Sequence, residues 1–345
     1  MARRPSRFRV PPLWQLVVAG VIALAMFWLW REIGGRAGDG VVVRVRIPKG
    51  STVRAAADSL ERGGVIGSTR VFRWFASSTG RARAMKPGAY QFTRHQGYSS
   101  VLDALVNGRS VMHTVIVPEG FDLRRITPLL VKALGVSEDS VRAAVTDTAW
   151  RRRLDVPAPS LEGYLFPATY TFADGTSARD AVVEMLERFE AAWKPEWNER
   201  LHDMALSRHD AMTMASIVET EARKSEERPI IAAVYWNRVK KGMLLQADPT
   251  VQYALPEHVD RVLYKDLKVD SKYNTYKYPG LPPGPIASPG AASIIAAITP
   301  ANVPYLYFVA HPDGHHEFRT TFAEHTRAIA MIKRLKNAPR APQPK

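Results

Sequence analysis

The sequence predicts an α+β protein that is carried on one N-terminal transmembrane helix. Residues 13–30 form an uninterrupted apolar segment. Residues 41–115 alternate short β-like runs with amphipathic stretches, and from about Val136 the pattern changes to longer helices. We therefore expect an anchor, a small α/β subdomain and an α-rich domain that contains a small β element.

Composition excludes several classes of protein. The 345-residue chain has no cysteine, which excludes a disulfide framework, a Cys-zinc site and a thiol nucleophile. It carries 48 Lys+Arg against 33 Asp+Glu, a formal charge of +15. Such a charge is typical of a protein with a polyanionic partner, which could be nucleic acid, anionic lipid or an acidic wall polymer.

The apolar segment has the length of a membrane span. Gln15 is its only polar side chain, and as a helix it would be about 27 Å long, close to the ~30 Å hydrocarbon core of a bilayer. Four arginines precede it within residues 1–12, which places this basic tail in the cytoplasm by the positive-inside rule. Everything beyond the linker at residues 31–40 then lies outside the cytoplasm, and nucleic acid is not expected as a partner.

Two alternatives compete with an uncleaved anchor. A cleaved signal peptide needs a small-x-small site after the apolar run, where this chain has Phe27-Trp28-Leu29-Trp30. A buried helix of a soluble protein would not be followed by the glycine-rich residues 34–40. We therefore favour a single-pass anchor.

The exported part divides into two regions by its local patterns. In residues 41–115, an alternating Val/Arg run leads through a Pro-Lys-Gly turn into a helix, and a similar pattern returns at 114–134. Longer helices dominate residues 116–335, and the Pro-rich tail 336–345 is expected to be flexible. The elements predicted in the second region are helices at about 177–193, 209–224 and 225–242 and a β-hairpin across 305–320.

Two glutamates in one predicted helix are the first candidates for chemistry. Glu219 and Glu221 are two residues apart, which is about 200° around a helix, so their carboxyl groups face different ways. A carboxyl group at an apolar, cleft-lining position has a raised pKa and can act as a general acid at neutral pH. The alternative is a solvated surface pair of Glu219 with Arg223 at i,i+4.

Three further segments have the residue types of a sugar-binding site, although each could instead be a structural connection. Glu162 lies among aromatic residues, Gln246 and Asp248 precede a proline, and Asn274 and Tyr276 precede a rigid Pro-rich loop.

Metal and nucleotide sites are not expected. The hairpin turn accounts for His311, His315 and His316, and the chain has no His-Glu-x-x-His helix, P-loop, Gly-x-Ser-x-Gly elbow or dinucleotide fingerprint. We expect no cofactor.

These segments give the chain a specific resemblance. In order and spacing it resembles the YceG-like family of endolytic murein transglycosylases from about residue 40 to 335. The matching segments are SLEGYLFP at 160–167, ASIVETE at 215–221, NR at 237–238, GMLLQADPTV at 242–251, YNTY at 273–276, GLPPGPI at 280–286 and PYLYFV at 304–309. One departure is Ala168, where the family commonly has an acid.

The resemblance implies a LysM-like subdomain at 41–115 and a catalytic domain at 116–335 related to lysozyme-type transglycosylases, held in the inner membrane with the catalytic domain in the periplasm. It implies Glu219 as the catalytic residue, with Glu221 structural or supporting. The expected partners are peptidoglycan strands and peptidoglycan synthases.

The implied reaction is cleavage of the MurNAc–GlcNAc bond within a strand, with a 1,6-anhydro-MurNAc end as product, so that the protein acts as a terminase of strand elongation. Two alternatives stay open. One is a hydrolytic muramidase that uses Glu219 with Asp248 or Glu162. The other is a peptidoglycan-binding scaffold without activity.

Overall fold

The secondary structure is mixed and mostly helical, which confirms the predicted α+β class. The computed structural model describes residues 13–34, 38–48, 50–108, 111–257, 259 and 261–337, so the basic tail 1–12 and most of the tail 336–345 lie outside it. The helices are α1 (Leu13–Ile33), α2 (Val53–Arg62), α3 (Thr69–Ser78), α4 (Tyr98–Asn107), α5 (Leu123–Leu134), α6 (Glu138–Val145), α7 (Thr148–Arg153), α8 (Ala178–Ala192), α9 (Pro195–Asp203), α10 (Arg208–Glu221), α11 (Arg228–Lys240), α12 (Asp248–Ala254), α13 (Ala291–Ile298) and α14 (Phe322–Asn337). The strands are β1 (Val42–Ile47), β2 (Gly88–Thr93), β3 (Met112–Val117), β4 (Ala168–Ala173), β5 (Tyr307–Ala310) and β6 (His316–Arg319), which form the pairs β1–β2, β3–β4 and β5–β6.

Helix α1 is long and apolar enough to cross a membrane. It has 21 residues, and its most apolar 18-residue window has a mean hydropathy of 2.0 with none of it buried. The helix continues three residues beyond the predicted end of the span at Trp30. In its last turn Glu32 is buried and Ile33 packs on the core of the first unit, so the helix extends through residues 31–33.

The chain forms two compact units. The first comprises the residues up to His113 together with Phe172–Gly175. Strands β1 and β2 are antiparallel, with Val42 opposite Thr93 and Ile47 opposite Gly88. Val45 and Ile47 face the core while Arg44 and Arg46 face solvent, as period-2 alternation requires. Helices α2, α3 and α4 cover the inner face of this sheet with apolar side chains.

The second unit comprises Thr114–Thr171 and the residues from Thr176 onward. Helix α10 is its central element, because all of its residues from Ala211 to Val218 are buried and only a fully surrounded helix can bury every face. A capping box between Ser207 and Asp210 fixes its first turn. Helices α9, α11, α12 and α13 pack against it.

Helix α10 ends at Glu221, three residues before the predicted end at Lys224. Ala222 is extended, with φ −72° and ψ 115°, and a 3₁₀ turn at Ser225–Glu227 leads directly into α11. Glu221 is therefore in the last turn of the helix, where the neighbouring elements leave space beside it.

Two side chains of α11 hold the C-terminal hairpin in place. The Asn237 amide donates to the carbonyl oxygens of Val303 and Tyr305 at 2.8 and 3.0 Å. The buried Arg238 guanidinium donates to Leu306 O at 2.7 Å and to Leu245 O at 2.6 Å. These bonds fix both the start of β5 and the loop before α12 relative to α11.

Candidate active site

The two glutamates of α10 lie in different surroundings, as the helical geometry predicts. Glu219 has a side chain that is 6% exposed, and its Oε1 lies 3.2 Å from Nη2 of Arg228. Its Oε2 accepts a hydrogen bond of 3.0 Å from the N–H of Gly290. Nε of Arg228 in turn donates to Oγ of Ser293 at 2.9 Å.

These contacts make Glu219 a cap for another helix. Gly290 is the N-cap of α13 and has no side chain to accept a hydrogen bond there. A carboxylate at a helix N-terminus is stabilised by the free N–H groups and the helix dipole. Glu219 therefore joins the end of α10 to the starts of α11 and α13.

A second carboxyl group lies beside this pair. Oε2 of Glu119 is 4.0 Å from Nη2 of Arg228, and there is no room for a Cβ at Gly290 because Glu119 Oε1 would be 1.8 Å away. Burial, together with the charge of Glu219, raises the pKa of Glu119. A side chain at position 290 would therefore require the half-exposed Glu119 carboxylate to move.

Glu221 instead lines a polar cavity of about 290 Å³. Its Oε1 accepts a hydrogen bond of 2.9 Å from the hydroxyl of Tyr235. Burial raises the pKa of Glu221 to about 7, and the nearby Asp248 adds to this while the Tyr235 hydrogen bond opposes it. The lining residues are Glu221, Tyr235, Arg238, Gln246, Asp248, Tyr276, Phe308, Ala310, His316 and His325.

Three predicted substrate-binding residues meet in this cavity. The Tyr276 hydroxyl donates to Oδ1 of Asp248 at 2.6 Å. Gln246 has φ +52°, an uncommon conformation for a residue other than glycine, and it leaves the side chain exposed at the cavity. The N–H of Gln246 donates to Thr275 O at 3.1 Å, which ties the loop before α12 to the segment of Tyr276.

Two other predicted binding residues do not line the cavity. Asn274 is fully buried, and its amide donates to the carbonyl oxygens of Leu267 and Val269 at 2.9 and 2.8 Å. Because these backbone groups occupy its donors, it shapes its own loop. In this structure the Asn274 amide therefore holds its own loop, and its role in substrate binding stays a prediction.

Glu162 also lies away from the cavity. Its carboxyl group accepts hydrogen bonds from the N–H of Leu123, at 3.1 Å, and from the Tyr253 hydroxyl, at 3.3 Å. Burial raises the pKa of Glu162 to about 8. Leu123 is the first residue of α5, so the Glu162 carboxyl group holds the N-terminus of that helix, and its role in substrate binding stays a prediction.

Sequence reasoning missed several residues of the cavity. Tyr235 and Arg238 come from α11, and His316 comes from β6. Nδ1 of His316 lies 2.7 Å from Oε2 of Glu227, and its backbone N–H donates to Oε1 of the same residue. The Asn-Arg pair at 237–238 is part of the sequence motifs, but the sequence does not indicate which distant residues the pair contacts. Within the part of the chain that the structure describes, no group of three or more His, Asp or Glu side chains could hold a metal ion.

The residues of the Glu221 cavity are suited to acid–base chemistry on a sugar. A carboxyl group with a pKa near neutrality can protonate a bound oxygen and then accept a proton in return. The hydroxyls, the amide and the second carboxylate of the cavity match the hydroxyl groups of a sugar. These features define a class: an α+β protein with one long apolar N-terminal helix and a polar, acid-lined cleft in its helical unit.

Comparison with known proteins identifies the family. Residues 45–331 match the YceG-like family, and the chain belongs to it. It is 36% identical over 310 residues to the endolytic murein transglycosylase of Bacillus subtilis, an alignment that covers 86% of each chain. It is 29% identical to the protein of the same name from Streptococcus pneumoniae D39, across 84% of this chain and 58% of that relative.

A solved structure supports the same assignment. The crystal structure of a YceG-like protein from Listeria monocytogenes has a TM-score of 0.58 and 33% sequence identity to this chain. The structural alignment covers 83% of this chain and 98% of the Listeria chain. The resemblance identified from the sequence motifs is thereby confirmed.

Proposed function

We propose that the protein is an endolytic lytic transglycosylase of peptidoglycan that cleaves the MurNAc–GlcNAc bond within glycan strands. The observation that carries this proposal is Glu221, a half-buried acid whose pKa burial raises to about 7, in a polar cavity. The name of the Bacillus subtilis relative supports the reaction class and the substrate.

Glu221 performs both proton transfers in this mechanism. In its protonated form it gives its proton to the bridging oxygen, the glycosidic bond breaks, and an oxocarbenium-like sugar forms. The 6-hydroxyl group of the same sugar then attacks the anomeric carbon, and its proton passes to the Glu221 carboxylate. No water is consumed, the product is a 1,6-anhydro-MurNAc end, and Glu221 is protonated again.

The other cavity residues hold the substrate and Glu221. The Tyr235 hydroxyl donates to Oε1 of Glu221 at 2.9 Å, which leaves Oε2 for the glycosidic oxygen. Asp248, oriented by Tyr276, places negative charge where the oxocarbenium-like sugar is positive. Gln246 offers an exposed amide to sugar hydroxyls.

This assignment differs from the role of Glu219 that the family resemblance implies. The Glu219 carboxylate is already bound to Arg228 and to the N–H of Gly290, and it does not line the cavity. Glu221 lines the cavity and has the raised pKa and the polar neighbours that a general acid needs. We therefore propose Glu221 as the proton donor and Glu219 as the support of the helix that carries it.

The mass of the reaction products tests the proposed reaction. We expect the purified protein to release muropeptides from intact sacculi that are one water lighter than their hydrolytic counterparts. Products that contain the extra water would instead indicate the muramidase alternative, in which Asp248 activates water in the same cavity. Release of no fragments at all would indicate a binding scaffold.

The membrane topology is a second proposal. We place α1 across the inner membrane with the N-terminus in the cytoplasm and both units in the periplasm, because residues 13–30 of α1 contain Gln15 as their only polar side chain and arginines precede them. Protease added to spheroplasts should digest the chain beyond about Gly40. Full protection of the chain would contradict this topology and, with it, access to the cell wall.

This location determines which strands the protein reaches. An enzyme held at the membrane surface meets glycan strands where synthases extend them. We therefore propose that cleavage terminates the elongation of nascent strands beside a peptidoglycan synthase.

The first unit is proposed to bind glycan as a LysM-like module. It combines two strands with three short helices, and Trp74 on α3 is 57% exposed, which suits stacking on a sugar face. Trp74→Ala should weaken binding to sacculi several-fold in the intact chain, whereas Trp74→Phe should retain most of it. Binding is measured by pull-down with sacculi, and both variants also carry Glu221→Gln so that the strands are not cleaved during the measurement. Equal binding by the alanine variant would reduce the module to a spacer.

A further inference from the structure

The second unit has a groove that is separate from the Glu221 cavity. It has a volume of about 570 Å³ and lies between α5 and α6. Its floor is apolar, formed by Leu123, Pro128, Val131 and Val145. An apolar groove of this size can hold several small side chains or one extended peptide segment.

Three basic side chains line the edge of the groove, and one of them has no acidic partner among the residues that the structure describes. Arg124, Lys132 and Arg142 line it, and Glu138 is the only acidic residue among the described side chains that do so. Arg142 pairs with Glu138 at 3.0 Å. Lys132 is exposed and forms no ion pair with any residue in the described part of the chain. Arg124 is likewise paired with Asp122 at 3.0 Å, and Asp139 lies 3.9 Å from Arg142, so the ammonium group of Lys132 is the charge available to a ligand.

Helix α12 connects this groove to the Glu221 cavity. Asp248, its first residue, lines the cavity. At its other end, the Arg124 guanidinium donates to Leu255 O at 2.8 Å and to Tyr253 O at 3.2 Å. A helix of seven residues is about 10 Å long. The groove therefore begins about one short helix length from the proposed site of bond cleavage.

We propose that this groove binds the acidic stem peptide that the glycan strand carries on its MurNAc residues. The inference rests on the proposed function, because it takes peptidoglycan as the substrate. Stem peptides branch from the sugar and combine small methyl side chains with free carboxylates. The methyl groups match the floor at Val131 and Val145, and a carboxylate matches Lys132 at the edge. The groove would thus favour strands that still carry their peptides.

A comparison of two substrates tests the groove. Intact glycan strands are compared with strands whose stem peptides an amidase has removed, and kcat/KM for strand cleavage is measured on each. For the wild-type protein, the ratio of intact to peptide-free substrate should be well above one. Lys132→Glu should lower this ratio by roughly five- to tenfold, because it replaces an exposed attraction with a repulsion.

Matched variants separate this effect from general charge effects. Glu138→Gln removes the acid from the edge and should raise the ratio, opposite in sign to Lys132→Glu. Lys333→Glu makes the same charge reversal at an exposed position of α14 and should leave the ratio at its wild-type value. Lys132→Met, which loses the charge without reversing it, should give a ratio between those of the wild type and Lys132→Glu.

Binding of a free peptide distinguishes failure of the groove from failure of the proposed function. A fluorescent stem pentapeptide should bind the intact protein, and Lys132→Glu should weaken its binding by a similar factor. If the protein cleaves neither substrate, the proposed function is wrong, yet this binding measurement still decides whether the groove holds the peptide. A wild-type ratio of one, or a ratio and a peptide affinity that Lys132→Glu leaves unchanged, would overturn the inference.

Discussion

Replacing Glu221 with glutamine is expected to lower the rate of anhydro-product formation by at least roughly 10²–10⁴-fold, the usual loss on removal of a general acid. The loss should lie at the upper end because one side chain serves both proton transfers. Glutamine keeps the size of the side chain and its hydrogen bond with Tyr235. Circular dichroism and sacculus binding should therefore remain close to wild type while turnover is lost.

Glu219→Gln is the matched control on the same helix. It weakens the pairing of the carboxylate with Arg228, so the protein should melt at a lower temperature. The folded fraction should nevertheless form anhydro product within about tenfold of the wild-type rate, because Glu219 does not line the cavity. A folded Glu219→Gln protein without activity, beside an active Glu221→Gln protein, would return the catalytic role to Glu219.

Arg238→Met is expected to have the second large effect, on stability as well as on activity. Arg238 is 7% exposed, and its guanidinium bonds to the carbonyl oxygens of Leu306 and Leu245. Methionine fills similar space but leaves both carbonyl groups without a donor, at a cost of about 2–4 kcal/mol. The melting temperature of the second unit should fall by roughly 5–15 °C. Activity should fall because the loop of Gln246 loses its support.

An exposed position of the same helix provides the control for this prediction. Lys240→Met removes a positive charge from the last turn of α11, where the side chain faces solvent. Its melting temperature in a thermal scan should stay close to that of the wild type. If Arg238→Met has the same melting temperature as Lys240→Met, the hydrogen bonds from Arg238 to the two carbonyl groups do not hold the hairpin and the loop.

The features that could be predicted from the sequence are those that depend on residues close together in the chain. The apolar run of α1 and the hairpin of β5 and β6 each follow from a local pattern, and both are present. The different directions of Glu219 and Glu221 follow from the rotation of 100° per residue in a helix. The motifs at 242–251 and 273–276 indicated the cavity wall that Gln246, Asp248 and Tyr276 form.

Which glutamate faces the cavity could not be predicted, because contacts across long stretches of chain decide it. Glu219 is bound by the backbone of Gly290, 71 residues away. Glu221 obtains its surroundings from Tyr235 on α11 and from α12 and the hairpin. Asn274 shows the same limit, since an amide beside two tyrosines has the composition of a sugar site, yet backbone carbonyls occupy its donors.

The pH dependence of anhydro-product formation tests the role of Glu221 most directly. The acid must be protonated to act, and burial raises the pKa of Glu221 to about 7. Rising pH removes the required proton, so kcat/KM of the wild type should fall about tenfold per pH unit above roughly pH 7 and level off below it. The residual activity of Glu221→Gln should lack this ionisation. A wild-type profile that stays flat from pH 5 to 9, or the same ionisation in folded Glu221→Gln, would contradict the assignment.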